Sequence, residues 1–279
     1  MRRRAVSRKQ TALIPSMSRA MSLTCANTVD GKPVLVVYLT RVLNANNYPD
    51  GTVVLTKFVQ LMRDAAMASC QAELYLVGDQ VWGDAPSSSN YEPFQLPDAV
   101  TNYDIYGNMN KAPFAGSSAV QNFYQKGAAW KVAANSQGVG YVPSVSPGYN
   151  DRGVRFDKNH PALSRQLSTS SPDGSLFATE LLRARELVDS TANNLLLVNS
   201  FNEWHEDTQI EPCQGNRTNL PLNSTNGLYY EGYGELYLDV LRVATCDSSC
   251  SSSLQNWRTA SVPDPFEGPP PDQILVGAF

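Results

Sequence analysis

Short, dense apolar runs separated by longer polar stretches set the reading of this chain. Pro33 to Leu39 (PVLVVYL) is continuous, apolar and β-branched, which predicts a strand buried on both faces. A polar loop with Asn44, Asn46, Asn47, Pro49 and Gly51 follows, and Thr52 is a fair N-cap for a helix reaching about Ser69. Val53, Phe58, Leu61 and Ala65 give that helix an apolar face. Ala72 to Val77 predicts a second strand, leading to Gly78, Asp79 and Trp82, and Ala99 to Tyr106 a third. Ser118 and Gln121 form a capping-box pair for a helix ending near Asn135 and Gly138. Val139 to Val145 predicts a fourth strand, running out into Ser146-Pro147-Gly148-Tyr149-Asn150-Asp151. Phe177, Leu181, Ala184 and Val188 recur at helical spacing, Leu195 to Val198 (LLLV) predicts a fifth strand, and Leu236, Val240 and Val243 mark a closing helix.

Strands alternating with helices define a parallel α/β domain, here expected over residues 31–245. The first 30 residues are basic (Arg2, Arg3, Arg4, Arg8, Lys9, Arg19), without an acid before Asp30, and read as a disordered leader. Residues 246–279 are Ser-rich and then Pro-rich, the composition of a tail or linker. A net charge of -4 gives no argument for nucleic acid or a membrane surface as partner, and no apolar run has the length of a membrane span. The five cysteines match no zinc spacing; they read as incidental thiols, with a disulfide among Cys213, Cys246 and Cys250 as the alternative. Sequons at Asn216 and Asn223 in one polar loop lean the chain towards the secretory pathway.

The candidate chemistry lies in Leu195 to Pro212, LLLVNSFNEWHEDTQIEP, where a buried strand turns abruptly polar and aromatic. Glycosidic cleavage uses two carboxyl groups, one protonating the leaving oxygen and one assisting at the sugar carbon or a neighbouring hydroxyl. Glu203 and Glu206, three residues apart in the emerging loop, can converge on one sugar, and their repulsion raises the pKa of one. Trp204 or His205 can supply an apolar or hydrogen-bonding wall, and His160 is the one other histidine, too few for a metal site. Trp82, in a loop after a strand, is a better candidate for a sugar contact than Trp130.

The stretch NSFNEWHEDTQIEP, with PSVSPGYNDRGVR upstream and GKPVLVVY at the first strand, resembles glycoside hydrolase family 99, over about Gly31 to Ala244. That resemblance implies a (β/α)8 TIM barrel, of which this chain looks like the fourth to eighth βα units, an incomplete barrel without the first three. It implies an endo-acting, retaining glycosidase for α-mannosidic linkages in glycans, working with no metal or organic cofactor. By the same resemblance Glu203 matches the base on the sugar's 2-hydroxyl, through a 1,2-anhydro intermediate, and Glu206 the general acid/base. Asn202, Trp204 and His205 become substrate contacts; Tyr149, Asp151 and Arg155 are either sugar contacts or loop structure; Tyr103 offers a phenol or plays a core role. The family usually has Gly where this chain has Asp207, so a third carboxylate is expected to perturb Glu206 or narrow the site. Without three units the strand Pro33 to Leu39 is expected to keep an open apolar edge. A non-catalytic, sugar-binding barrel remnant and a polysaccharide-assembly enzyme of the related bacterial type are the alternatives.

Overall fold

The computed structural model describes residues 28–43, 51–87, 96–109, 113–155, 160, 162–213, 232–245 and 275–278. Its strands are β1 (Thr28–Val29), β2 (Lys32–Val37), β3 (Tyr75–Asp79), β4 (Ala99–Thr101), β5 (Gly140–Tyr141), β6 (Ser144–Val145), β7 (Leu195–Val198) and β8 (Leu275–Ala278). The helices are α1 (Gly51–Cys70), α2 (Ile105–Asn108), α3 (Gly116–Asn135), α4 (Arg152–Arg155), α5 (Ser175–Arg185) and α6 (Leu236–Thr245).

Strands β2, β3, β4 and β5 pair in parallel in that order, as do β6, β7 and β8. The two sheets are halves of one curled surface, an incomplete α/β barrel, joined where the fourth predicted strand breaks around Pro143. Proline has no N–H for a ladder. Val142 N donates to Val100 O (2.9 Å) on the β4 side, whereas Pro143 O accepts from Leu197 N (3.0 Å) on the β7 side. The stretch therefore changes partner as it passes the proline, and the sheet bends there.

The period of two decides which side chains meet. On β7, Leu195 and Leu197 join Val29, Tyr75, Val77, Ala99 and Val142 in a cluster inside the curl, while Leu196 and Val198 face the helical layer. There they pack with Val145, with Val120 and Tyr124 of α3, with Leu176, Phe177 and Leu181 of α5, and with Tyr237 and Val240 of α6. A fully buried Leu or Phe of this kind contributes about 1.5–3 kcal/mol. The strand register also needs Gly140: a Cβ there would stand 2.9 Å from the Tyr75 hydroxyl and 3.3 Å from Ala99 Cβ.

Several expectations are corrected. The third strand ends at Thr101, because the Asp104 carboxylate accepts from Gly107 N (2.7 Å) and caps the short helix α2. Helix α3 starts at Gly116 rather than at a Ser118 cap; Gly116 N is fixed by Leu167 O (2.9 Å), a tertiary bond that outweighs the local signal. Helix α1 begins one residue before Thr52, and its apolar face is uncovered: Val53, Phe58 and Leu61 are exposed, and Leu55 alone is buried among its described side chains. Strand β2 is half-buried rather than enclosed on both faces, and its edge is open only in part, since β1 pairs with it antiparallel through Thr28↔Pro33 and Val29↔Lys32. Among the described residues no further strand pairs beyond β1 on that side of the sheet.

At the opposite end, β8 lies within the stretch of tail composition and lies in register along β7, Leu195↔Leu275 to Val198↔Ala278. Both sequons and Cys25, Cys246 and Cys250 lie outside the described residues; Cys70 and Cys213 are free thiols. No helix among the described residues is long and apolar enough to cross a membrane.

Candidate active site

Parallel strands deliver all their carboxyl ends to one rim, and the polar residues that follow each apolar run gather there. Tyr38 follows β2, Trp82 follows β3, Tyr103 and Asp104 follow β4, Tyr149 follows β6, and Glu206 follows β7. Together they line a cleft of about 290 Å³, completed by Tyr106, Arg155, His160 and Asn199. The wall is strongly aromatic. Tyr106 and Tyr149 stack with ring centroids 4.2 Å apart, and Tyr38 leans on Tyr103 at 4.5 Å.

Glu206 is, of Glu203 and Glu206, the one that reaches this cleft, where the Asp104 carboxylate also stands. Burial pushes its pKa up, the neighbouring charge of Glu203 adds to the rise, and Asp104 adds more, against the pull of Arg155. It therefore keeps its proton to higher pH than an ordinary glutamate. Glu203 sits on the shoulder of the same turn and does not line the cleft. Its Oε1 accepts from His205 N (3.0 Å) and lies 3.3 Å from His205 Nδ1, and its side chain is 38% exposed. The phenol of Tyr103 is raised first by burial and then by the charges of Glu206 and Glu203, so both carboxylates act on it.

Of the other residues singled out in the sequence, Tyr103, Tyr149 and Arg155 line the cleft. Asp151 stands directly behind it, fully buried: it accepts from the Tyr149 hydroxyl (2.8 Å), lies 2.6 Å from His160 Nδ1 and pairs with Arg155 Nε. Asn202 and His205 are exposed and lie outside the lining, and the Trp204 indole donates instead to Glu211 Oε2 (3.0 Å). Trp82 borders the cleft, whereas Trp130 is buried with its indole on Gly83 O (3.2 Å). Asp207 does not crowd the site: its carboxylate turns away to Arg165, 2.9 Å off.

The sequence reading missed Tyr38, Asp79, Asp104, His160 and Asn199 as site residues. Asp79 is the organiser of the β2–β4 side. Its fully buried carboxylate accepts from Leu39 N and Tyr103 N (both 3.0 Å) and pairs with Arg41, whose guanidinium lies over the Trp82 ring at 4.9 Å. Asn199 in turn donates to Tyr103 O, joining the far ends of β4 and β7. The available signal was positional, since Asp79 closes β3 and Asp104 and Asn199 follow within three residues of the ends of β4 and β7. Gly107 permits the crowding here: a Cβ would meet Asp104 Oδ2 at 2.6 Å and Trp82 at 2.7 Å. Among the described residues no cluster of His, Cys, Asp and Glu could hold a metal ion.

The site thus places carboxyl groups at the strand ends of an incomplete α/β barrel, in a tyrosine-walled cleft. No family model matches the chain. It is 30% identical over 119 residues to the mouse (Mus musculus) glycoprotein endo-alpha-1,2-mannosidase-like protein, a match covering 40% of this chain and 23% of that protein. The human (Homo sapiens) protein of the same description is 31% identical over 119 residues, covering 40% and 22%. The chain thus spans under a quarter of the length of these curated relatives. A solved glycoside hydrolase-like protein has the same fold, with a TM-score of 0.51, 24% identity and coverage of 78% of this chain and 55% of that one. Over the matched part the chain is a relative of the endo-α-1,2-mannosidase-like proteins, and the resemblance to glycoside hydrolase family 99 read from its motif holds.

Proposed function

We propose that this chain is a retaining, endo-acting glycosidase for α-mannosidic linkages in glycans, with Glu206 as general acid/base and Glu203 as base on the sugar's 2-hydroxyl. The observation that carries this reading is Glu206, half-buried in the aromatic cleft with its pKa raised by burial and by Glu203. An acid has to hold its proton until the leaving oxygen arrives, and a raised pKa widens the range in which it does so. The tyrosine walls offer apolar faces and hydroxyl donors of the kind a hexose needs. For Glu203 the role requires a side-chain rotation from His205 towards the cleft, open to a group with this exposure. The relatives' descriptions as endo-alpha-1,2-mannosidase-like support an α-1,2-mannosidic linkage as the one to test. The secretory lean of the sequons fits a glycan substrate.

One observation favours a second reading, a barrel remnant that binds sugar without turnover: the Glu203 carboxylate lies outside the cleft lining. Hydrolysis of an α-1,2-mannosyl oligosaccharide separates the two. Turnover by the wild-type chain, reduced about 10²–10⁴-fold in Glu206→Gln and in Glu203→Gln, supports the glycosidase. A folded wild-type chain that binds the oligosaccharide and leaves it intact supports the remnant.

A further inference from the structure

The residue after Glu206 is gripped from two sides. Asp207 has φ +53°, a left-handed conformation that costs a residue with a Cβ roughly 1 kcal/mol. The chain reverses there, so that Thr208 to Ile210 runs back along Ser200 and Phe201, with Ser200 N on Thr208 O (2.9 Å) and Ile210 N on Ser200 O (3.1 Å). Arg165 Nη2 holds the reversal by donating to Asp207 O (2.9 Å), Asp207 Oδ1 (2.9 Å) and Gln209 O (3.1 Å). The Arg165 side chain is 11% exposed, and its guanidinium lies 4.9 Å from the Tyr233 ring and 4.6 Å from the Tyr237 ring. Gln209 Nε2 adds a bond to Asp207 Oδ1 (3.2 Å). From the other side, Glu206 O accepts from Asn150 N (2.8 Å) in the loop after β6.

We propose that Arg165 and Asp207 form a latch, a pair of positioning residues that fixes the turn carrying Glu206 and so aims its carboxyl into the cleft. This inference rests on the glycosidase reading. Neither residue touches the cleft; both act through the backbone on the turn's C-terminal side. Glycine would fit the left-handed conformation without strain, but it has no carboxylate for Arg165. Asparagine tolerates the conformation and keeps an oxygen for Nη2. Lysine at 165 has no planar fork and loses the stacking on two tyrosines.

The test compares Asp207→Gly, Asp207→Asn and Arg165→Lys on the α-1,2-mannosyl oligosaccharide, together with the titration of Glu206 followed by carboxyl ¹³C NMR. Glu206 faces the charges of Glu203, Asp104, Asp151 and Arg155, the phenols of Tyr38, Tyr103 and Tyr149, and His160 across the cleft. The latch predicts that Asp207→Gly and Arg165→Lys lower kcat about tenfold to a hundredfold with KM changed by less than about threefold. It also predicts a Glu206 midpoint displaced downward, as a freed turn lets water reach the carboxyl, and recovery of most of the rate in Asp207→Asn. Unchanged kcat and an unchanged Glu206 midpoint in folded variants would overturn it. Should Arg165→Lys fail to fold, Asp207→Gly, which relieves the backbone, decides by the same readouts. If wild type shows no turnover the glycosidase reading fails, and the Glu206 midpoint in Asp207→Gly alone decides the latch: lowered supports it, unmoved overturns it.

Discussion

Replacing Glu180 by glutamine should change the pH dependence of folding. Glu180 lies on α5, completely buried, behind the strand end that carries Ser146. Its Oε2 accepts from Ser146 N (2.7 Å), the Tyr124 hydroxyl is 3.5 Å away, and burial pushes its pKa to about 8. Its folded pKa is above that of the unfolded chain, so folding takes up a proton between the two values. The associated stability is fully present below the unfolded pKa near 4.5 and is lost as pH rises, until the folded group ionises near 8. Each pH unit in that window removes about 1.4 kcal/mol, or roughly 3 kcal/mol between about pH 5 and pH 7.5. Glutamine keeps an oxygen for Ser146 N and has no proton to take up. Urea denaturation of both proteins across this range should show wild type losing roughly 3 kcal/mol relative to Glu180→Gln. All groups common to the two proteins cancel in the difference. A difference that stays flat with pH would refute the burial of an acid here.

Two further outcomes follow from the rim and the edge of the sheet. Asp79→Ala leaves Arg41 and the N–H groups of Leu39 and Tyr103 without their shared acceptor, and should cost about 3–5 kcal/mol of unfolding free energy and weaken sugar binding through Tyr103. Calorimetry with the oligosaccharide beside denaturation checks both, and a loss under about 1 kcal/mol would remove Asp79 from its organising role. Deleting residues 275–279 strips β7 of its β8 partner, a four-residue parallel pairing. Lower stability and concentration-dependent association in sedimentation velocity are expected, and an unchanged monomer of equal stability would mean that β8 does not guard that edge.

Local patterning determined much of this molecule. The β7 strand is the apolar LLLV run itself, because four residues buried on both faces have to be continuously apolar, and the polar run after it marks the rim where parallel strands expose their ends. Helices α5 and α6 follow their apolar spacing for the same reason: each buries one face in the core. The three-residue spacing and the motif single out Glu203 and Glu206 as candidates. Which of the two enters the cleft was not legible there, since a rotation of the turn decides it, and that turn is fixed by Asp207 in a left-handed conformation against an arginine 42 residues earlier in the chain. Likewise Asp79, Tyr38 and His160 are scattered in sequence and meet only once parallel register brings the strand ends together. The break at Pro143, the uncovered apolar face of α1 and the addition of β8 depend on which neighbours exist to supply or accept hydrogen bonds and to cover apolar area. A local pattern can state that a face is apolar; only the tertiary arrangement decides what, if anything, lies against it.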